Sequence, residues 1–188
     1  MITLRQLVKE DAASYRRVRL LGLQESASAF GASYAQEEKM SLDDFARRLE
    51  PTPVHWVVGA FEDAELVGAI GFMRDGGDKS RHKGFIWGMY VIPTWRGRGV
   101  GRALFEEALR RIDALPGLRS VRLAVVTSNE GALRLYEKLG FIRYGEEHEA
   151  LCVDGVFHSQ YHMVRKTEKP NKAPEPTACT VIPRAVVP

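Results

Sequence analysis

Glycines occupy every second position of residues 97–101, between a predicted strand at 84–92 and a predicted helix. Pro93 ends the strand because it cannot continue a β-ladder. Glycine allows a close approach to a ligand and positive φ angles, and the first N–H groups of a helix bind anions. Arg96, Arg98 and Arg102 add charge-assisted donors. The pattern predicts a diphosphate site, although a glycine-rich turn with solvated arginines would have the same composition.

The helix after this loop is indicated by apolar residues at helical spacing: Val100, Leu104, Ala108 and Ile112. A strand with alternating apolar residues follows at Val121, so the strand ending at Ile92, the helix and this strand form a βαβ unit. Strands joined in this way are expected to be parallel neighbours in one sheet.

The remaining elements predict an α/β (α+β) fold, with a mixed central sheet of about six to seven strands and helices on both faces. Strands are predicted near Ile2 and Leu4, at 54–60 and 66–74 as a hairpin, and on both sides of an Asp154-Gly155 turn. A further helix is predicted from Ala132 to Leu139, ending at Gly140.

Two helix starts can be read from capping residues. Asp11 is predicted to cap a helix whose inner face carries Tyr15, Val18 and Leu21, and Ser41 with Asp44 forms a capping box for a short helix. Residues 24–40 between these helices are small and polar, which predicts a loop or a broken helix.

The chain divides into a folded domain, residues 1–166, and a proline-rich tail, residues 167–188. The tail holds five of the nine prolines and has no helical or strand period, so we expect it to be disordered.

No apolar run of membrane-spanning length and no secretory h-region are present, which predicts no membrane partner. Two cysteines make neither a disulfide framework nor a metal cluster, so a reducing cytoplasm is expected and no metal is predicted.

The spacing of the glycine loop argues against two common diphosphate ligands. A nucleoside triphosphate loop requires Gly-Lys-Ser/Thr, which is absent from the sequence. A dinucleotide fingerprint is Gly-x-Gly-x-x-Gly with a later acid for the ribose, whereas the spacing here is Gly-x-Gly-x-Gly and the next strand, residues 120–126, has no acid.

Two motifs resemble those of the GNAT superfamily of N-acetyltransferases. Residues 96–101, Arg-Gly-Arg-Gly-Val-Gly, are similar to its Arg/Gln-x-x-Gly-x-Gly/Ala motif and follow a family-like strand at 89–93. Residues 129–141 are similar to its second motif, Asn-x-x-Ala-x-x-Leu-Tyr-x-x-x-Gly-Phe. The order of elements agrees over residues 1–166, and the resemblance does not cover the tail.

The resemblance implies that two parallel central strands splay apart and hold acetyl-CoA as the acetyl donor. The pantetheine arm would pair with the backbone of the strand before the loop, and the diphosphate would lie on the amides of residues 97–102. The cofactor-binding residues implied are Met89, Tyr90, Val91, Arg96, Gly97, Arg98, Gly99, Val100, Gly101, Arg102, Asn129, Ala132, Leu135 and Tyr136.

The implied reaction is direct attack of a primary amine on the acetyl thioester. Tyr136 is the candidate catalytic acid, because a phenol can protonate a departing thiolate; a core tyrosine at helical spacing is the alternative. Many family members have a Glu on the strand before the loop, and residues 85–91 have none. Acting through water, the base could be Glu25, Glu37, Glu38 or His82.

The resemblance places the acceptor groove at residues 24–40 and 145–160, where several acids would favour a cationic amine on a small molecule or peptide. One alternative is a module that senses acyl-CoA without transfer. A nucleic-acid partner is not predicted, because the net charge is only +3 and the arginine cluster has little aromatic interleaving. A homodimer stays open as an alternative.

Overall fold

The computed structural model describes residues 1–167, and these form a seven-stranded mixed sheet with the order β1-β2-β3-β4-β5-β7-β6. All neighbouring strands are antiparallel except β4 and β5. The strands are β1 Ile2–Gln6, β2 His55–Glu62, β3 Glu65–Arg74, β4 Lys83–Val91, β5 Ser120–Val126, β6 Ile142–Val153 and β7 Val156–Lys166. The predicted fold class and the predicted parallel pair are confirmed.

Helices cover both faces of the sheet, as the element order predicts. They are α1 Ala12–Glu25, α2 Tyr34–Glu37, α3 Leu42–Leu49, α4 Val100–Asp113 and α5 Glu130–Lys138. The Tyr90 ring packs against Gly22 of α1, whereas Val91 lies with Leu104 of α4 around Gly68. Successive residues of a strand point to opposite faces, so α1 and α4 lie on opposite sides of the sheet.

The parallel pair is joined over only a short length. β4 and β5 pair through residues 83–85 and 120–122, and within the described chain no further position is paired before they end at Val91 and Val126. The rest of the two strands diverges toward their carboxyl ends. This is the splay that the resemblance implied.

A β-bulge in β4 gives a physical reason for the divergence. Trp87 pairs with Gly71 and Tyr90 pairs with Ala69 of β3, so the two residues between them, Gly88 and Met89, face a single residue. Gly88 has a φ of 65°, which favours glycine. A bulge bends its strand and increases the local twist, so β4 turns away from the direction of β5 just beyond their last paired position.

The two predicted helix starts have different outcomes. The Ser41 capping box is confirmed: Ser41 N donates to Asp44 Oδ2 at 2.8 Å, and Asp44 N donates to Ser41 Oγ at 3.2 Å. Asp11 precedes α1, but the prediction that its side chain caps that helix is wrong. Its carboxylate instead accepts from Val8 N at 2.9 Å across the 3-10 turn that precedes α1, and it pairs with Arg5 of β1.

The inner face of α1 also differs from the prediction in one residue. Tyr15 and Val18 are buried as expected, but Leu21 is 37% exposed, and Arg19 and Gly22 take the inner positions instead. The helix sits close enough to β4 that a Cβ on Gly22 would lie 3.0 Å from the Tyr90 ring. A larger residue facing the strand would therefore not fit, and Leu21 turns toward solvent.

Asp154 and Gly155 form the predicted β6–β7 turn, both with positive φ (49° and 80°), as a two-residue hairpin turn requires.

Thr167, which the sequence assigned to the tail, is buried and donates from its N to Arg119 O and from Oγ1 to Leu118 O. The rest of the predicted tail lies outside the described residues. Within residues 1–167, no helix is both long and apolar enough to cross a bilayer.

Candidate active site

The glycine loop lies at the carboxyl end of β4 and leads directly into α4. Gly97 and Gly99 have φ angles of 73° and 81°, and Gly99 is the N-cap of α4. A Cβ on either residue would meet no atom within 4 Å, so the loop backbone is open on its outer side. Gly101 has a different role, because a Cβ there would lie 3.2 Å from the Met89 side chain. The loop presents the start of a helix to an anion without side chains in the way.

The three loop arginines have different surroundings. Arg96 is 45% exposed but is held in place by hydrogen bonds: its Nε donates to Val91 O at 2.9 Å, and its two terminal nitrogens donate to both carboxylate oxygens of Glu25 at 2.8 and 2.7 Å. Arg98 stacks over the Trp95 ring at 4.9 Å. Arg102 is 70% exposed and pairs with Glu106 one helical turn away. The exposed Arg102 is free to reorient toward a phosphate, and the predicted phosphate contact of each arginine stays a prediction.

Glu25 ties the end of α1 to β4 and to the loop. Besides Arg96, it accepts a hydrogen bond from the Tyr90 hydroxyl. The Arg96 and Tyr90 hydrogen bonds hold the pKa of Glu25 below its usual value, while burial and then the Glu25 contact raise the pKa of Tyr90. Glu25 is therefore a carboxylate at neutral pH, and its main effect is to fix Arg96 beside the splay.

Tyr136 lies on the inner face of α5, the helix that follows β5. Its ring is 9% exposed and packs against Phe105 of α4, with ring centroids 4.8 Å apart, and against Phe141 at 6.2 Å. Burial raises the pKa of the Tyr136 hydroxyl, so the group keeps its proton at neutral pH. The structure thus gives Tyr136 the packing of a core residue together with the protonation state that an acid requires, and its catalytic role stays a prediction.

Asn129 begins α5 as its N-cap, with Oδ1 accepting from Ala132 N at 3.1 Å. Asn129, a predicted site residue, therefore stabilises the start of α5 directly after β5. Ala132 and Leu135 are partly buried against the core. Together, α5 and the glycine loop follow the two carboxyl ends of the splayed strands.

The four candidate bases occupy different parts of the molecule. His82 precedes β4, and nine residues of extended chain separate it from Val91, about 30 Å at 3.3 Å per residue. It therefore lies at the end of the sheet opposite the loop. Glu37 is buried between Arg19 and Arg48, and Glu38 accepts from the Tyr34 hydroxyl. Of the four, Glu25 is the one that contacts both β4 and the loop.

Parts of the two segments predicted to form the acceptor groove lie near each other, and the groove itself stays a prediction. The short 3-10 turn at Ala27–Ala29, just after α1, contacts both β5 and β6. Glu146, Glu147 and Glu149 all lie on the exposed strand β6. The acids expected near the groove are therefore at the surface, with the exception of the buried Glu37.

Sequence reasoning missed two residues beside the splay, Arg19 and Gly88. Arg19 is 8% exposed and Gly88 forms the bulge of β4. An isolated glycine inside a strand pattern is a signal for a bulge, and it was available in the sequence. Arg19 follows Tyr15 by four residues and so shares its helix face, but nothing local distinguishes it from a surface arginine.

Among residues 1–167, no group of three or more His, Cys, Asp or Glu side chains is arranged to hold a metal ion. The candidate site is made instead of backbone groups at a strand end and a helix start, with a buried phenol nearby. Backbone donors of this kind suit a phosphorylated cofactor with an extended arm.

A mixed sheet with one splayed parallel pair and a glycine loop at the end of its first strand defines an acyl-CoA-type transferase fold. The Acetyltransferase (GNAT) family matches residues 20–141 of this chain. The chain therefore belongs to the GNAT family of acetyltransferases, and the predicted family resemblance is confirmed.

Individual relatives agree with this assignment. The N-alpha-acetyltransferase RimI of Mycobacterium tuberculosis is 35% identical over 130 residues, which cover 68% of this chain and 75% of that protein. The N-alpha-acetyltransferase MAK3 of Arabidopsis thaliana is 37% identical over 84 residues, 45% of this chain but only 43% of that protein. This chain therefore matches less than half the length of MAK3.

Solved structures show the same fold at lower identity. The yncA structure from Salmonella typhimurium, a putative acetyltransferase with its cofactor acetyl-CoA, superposes with a TM-score of 0.78 over 95% of this chain and 99% of that one. The two sequences are 19% identical, so this likeness concerns the fold.

Proposed function

We propose that this protein transfers the acetyl group of acetyl-CoA to a primary amine of a small molecule or peptide by direct attack. The observation that carries the proposal is the splay: β4 and β5 pair over three positions and then part, with the glycine loop at the end of β4. The gap exposes backbone groups of β4 to an extended arm, which can add to the sheet edge like a strand. Membership of the GNAT family, and the acetyl-CoA bound to yncA, support this reading.

The cofactor would be held in two parts. Backbone amides of residues 97–102 at the start of α4 receive the diphosphate, because the helix dipole and the unpaired N–H groups attract negative charge there. Met89 and Val91 pair with the pantetheine arm on the free side of β4. The acetyl end then lies toward the bulge, where the amide of Met89 can stabilise the oxyanion of the tetrahedral intermediate.

Proton transfers complete the reaction. The amine loses its proton before attack, and water held near Glu25 is our candidate route, since no acid lies on β4 itself. The amine nitrogen first bonds to the acetyl carbon and gives the tetrahedral intermediate; its collapse breaks the C–S bond, and Tyr136 gives its proton to the leaving thiolate. The nitrogen loses its extra proton to water, and solvent returns a proton to Tyr136. Tyr136 carries a proton at neutral pH, as a general acid must.

The names of RimI and MAK3, both N-alpha-acetyltransferases, support an α-amine as one acceptor class. The predicted cytoplasmic location and a homodimer stay predictions.

The proposal is tested first by ligand binding. At 100 times its Kd, acetyl-CoA adds about 2.7 kcal/mol to the free energy of unfolding, which raises the Tm by roughly 5–11 °C for a chain of this size. NAD and ATP at the same concentration should give much smaller shifts. Thiol release from acetyl-CoA is then measured with a panel of amines. A shift with NAD and none with acetyl-CoA would refute the cofactor assignment, and binding without thiol release would favour the sensor alternative.

A further inference from the structure

A buried ionic network on the α1 face of the sheet is the starting observation. Arg19 of α1 donates from Nε and Nη2 to the two carboxylate oxygens of Glu37, both at 3.0 Å, and Arg48 of α3 donates to Glu37 at 3.0 Å. The side chains of Arg19 and Glu37 are only 9% and 7% exposed. Although burial acts to raise it, the two arginines hold the pKa of Glu37 below its usual value.

This network is short of one anion. Two guanidiniums face one carboxylate, so its net charge is +1; Arg48 is 22% exposed, whereas Arg19 lies where charge is poorly solvated. Among the described residues, Nη1 of Arg19 is buried with no hydrogen-bond partner. Buried donors are nearly always paired, so a missing acceptor is indicated.

The unpaired nitrogen lies beside the β4 bulge. Nη1 of Arg19 lies 3.7 Å from the position that a Cβ on Gly88 would occupy, and no other atom beyond the neighbouring residues is within 4 Å of that position. A Cβ there would be in ordinary van der Waals contact with the guanidinium, so the glycine leaves this side of β4 without a side chain next to Nη1. Phe30 covers the face of the same guanidinium at 4.9 Å and leans on Tyr90. The unpaired Nη1 therefore lies beside the residue at which β4 bends away from β5.

We propose that Arg19 binds a carboxylate of the acceptor through Nη1 beside Gly88, so that the preferred acceptor is a small amine that also bears a carboxylate. This inference rests on the proposed function and specifies its substrate class. A carboxylate balances the extra positive charge and accepts the unpaired N–H, whereas the neutral carbonyl of a peptide N-terminus would leave the charge uncompensated. Arg19 would be a specificity-determining residue, with Glu37 and Arg48 holding its guanidinium in place.

The experiment compares free amino acids with their own carboxamides as acetyl acceptors, using kcat/KM from thiol release. We expect the wild-type protein to favour the acids by about 10- to 100-fold, the scale of one charge-assisted hydrogen-bonded pair. The carboxamides have the less basic amines and so contain more free amine at neutral pH. A preference for the acids would therefore run against intrinsic reactivity.

Variants of two arginines on α1 then assign the preference. Arg19→Gln should lower kcat/KM for the acids about 10-fold or more and leave the carboxamides nearly unchanged, and Arg19→Lys should keep part of the preference. The matched control is Arg17→Gln, on the same helix, where Arg17 is about half exposed and pairs with Glu65. It should keep the full acid preference, and circular dichroism confirms that each variant is folded.

Three results would overturn the inference while thiol release persists: equal use of acid and carboxamide, preference for the carboxamide, or an equal loss of both in Arg19→Gln. If no amine supports thiol release, the proposed function fails for the panel, and a binding titration still decides the inference. In the presence of CoA, N-acetyl amino acids should bind the wild-type protein but not Arg19→Gln, and their carboxamides should bind neither. Equal binding of both products, or none, would refute it.

Discussion

Replacing Tyr136 with Phe distinguishes a catalytic role of this residue from a role in core packing alone. The phenylalanine keeps the ring, its 4.8 Å approach to Phe105 and its contact with Phe141, so only a hydroxyl is lost. We therefore expect the free energy of unfolding to change by no more than about 1.5 kcal/mol. The affinity for acetyl-CoA should also hold, because the hydroxyl acts on the thiolate that forms only as the thioester breaks.

Turnover should fall by roughly 10²- to 10⁴-fold, the usual contribution of a positioned general acid. The loss should appear in both kcat and kcat/KM, because the lost interaction belongs to the transition state. Steady-state thiol release with a working amine, repeated as a single-turnover measurement, checks this. Tyr144→Phe is the control, since Tyr144 is 55% exposed on the edge strand β6 and should retain full activity.

The pH dependence gives a second measurement of the same residue. Burial raises the pKa of Tyr136 above the ordinary value of 10, so the acid keeps its proton through neutral and mildly alkaline pH. The wild-type rate should therefore show no alkaline decrease from this group below about pH 10. Unchanged single-turnover rates in Tyr136→Phe would refute the catalytic role and leave Tyr136 as a core residue.

Three further substitutions test the loop and the scaffold. Gly99→Val should weaken acetyl-CoA binding more than 10-fold by calorimetry, because a β-branched residue is strained at a φ of 81° and would project into the space predicted for the diphosphate. The control is Gly76→Val, in a loop with open space. Unchanged acetyl-CoA affinity in Gly99→Val would mean that the loop is misassigned. Ser41→Ala should remove about 1 kcal/mol of stability by breaking the capping box, and an unaltered Tm would contradict it. Glu107→Gln tests stability in acid. The neighbouring arginines, Arg110 above all, lower the pKa of Glu107 to about 2. The ionised Glu107 therefore stabilises the folded protein above pH 4.5, and this contribution is lost as the pH falls toward 2. The variant should be less stable at pH 7 and lose less stability between pH 5 and 2 in urea titrations; parallel curves would refute this.

Features set by neighbouring residues could be predicted from the sequence. The Ser41 capping box and the Asp154-Gly155 turn depend on backbone preferences within a few residues, and both are present as predicted. The glycines of the loop belong to the same class, because their positive φ angles are local properties of glycine. The βαβ order further determined that β4 and β5 are parallel, since connections of this kind have few alternatives.

Features set by distant residues required the tertiary structure. Arg96 pairs with Glu25, 71 positions away, and Arg19 pairs with Glu37, 18 positions away, and no local pattern specifies either partner. The same holds for Leu21, which faces solvent because Gly22 packs against Tyr90 of a strand far along the chain. By itself, the sequence indicated the family, the glycine loop and the candidate acid. The packing of α1 against the bulge of β4 decided that Arg19 is buried beside the splay with an unpaired N–H. Burial and hydrogen-bond pairing depend on how separate elements meet in space, which no local pattern specifies.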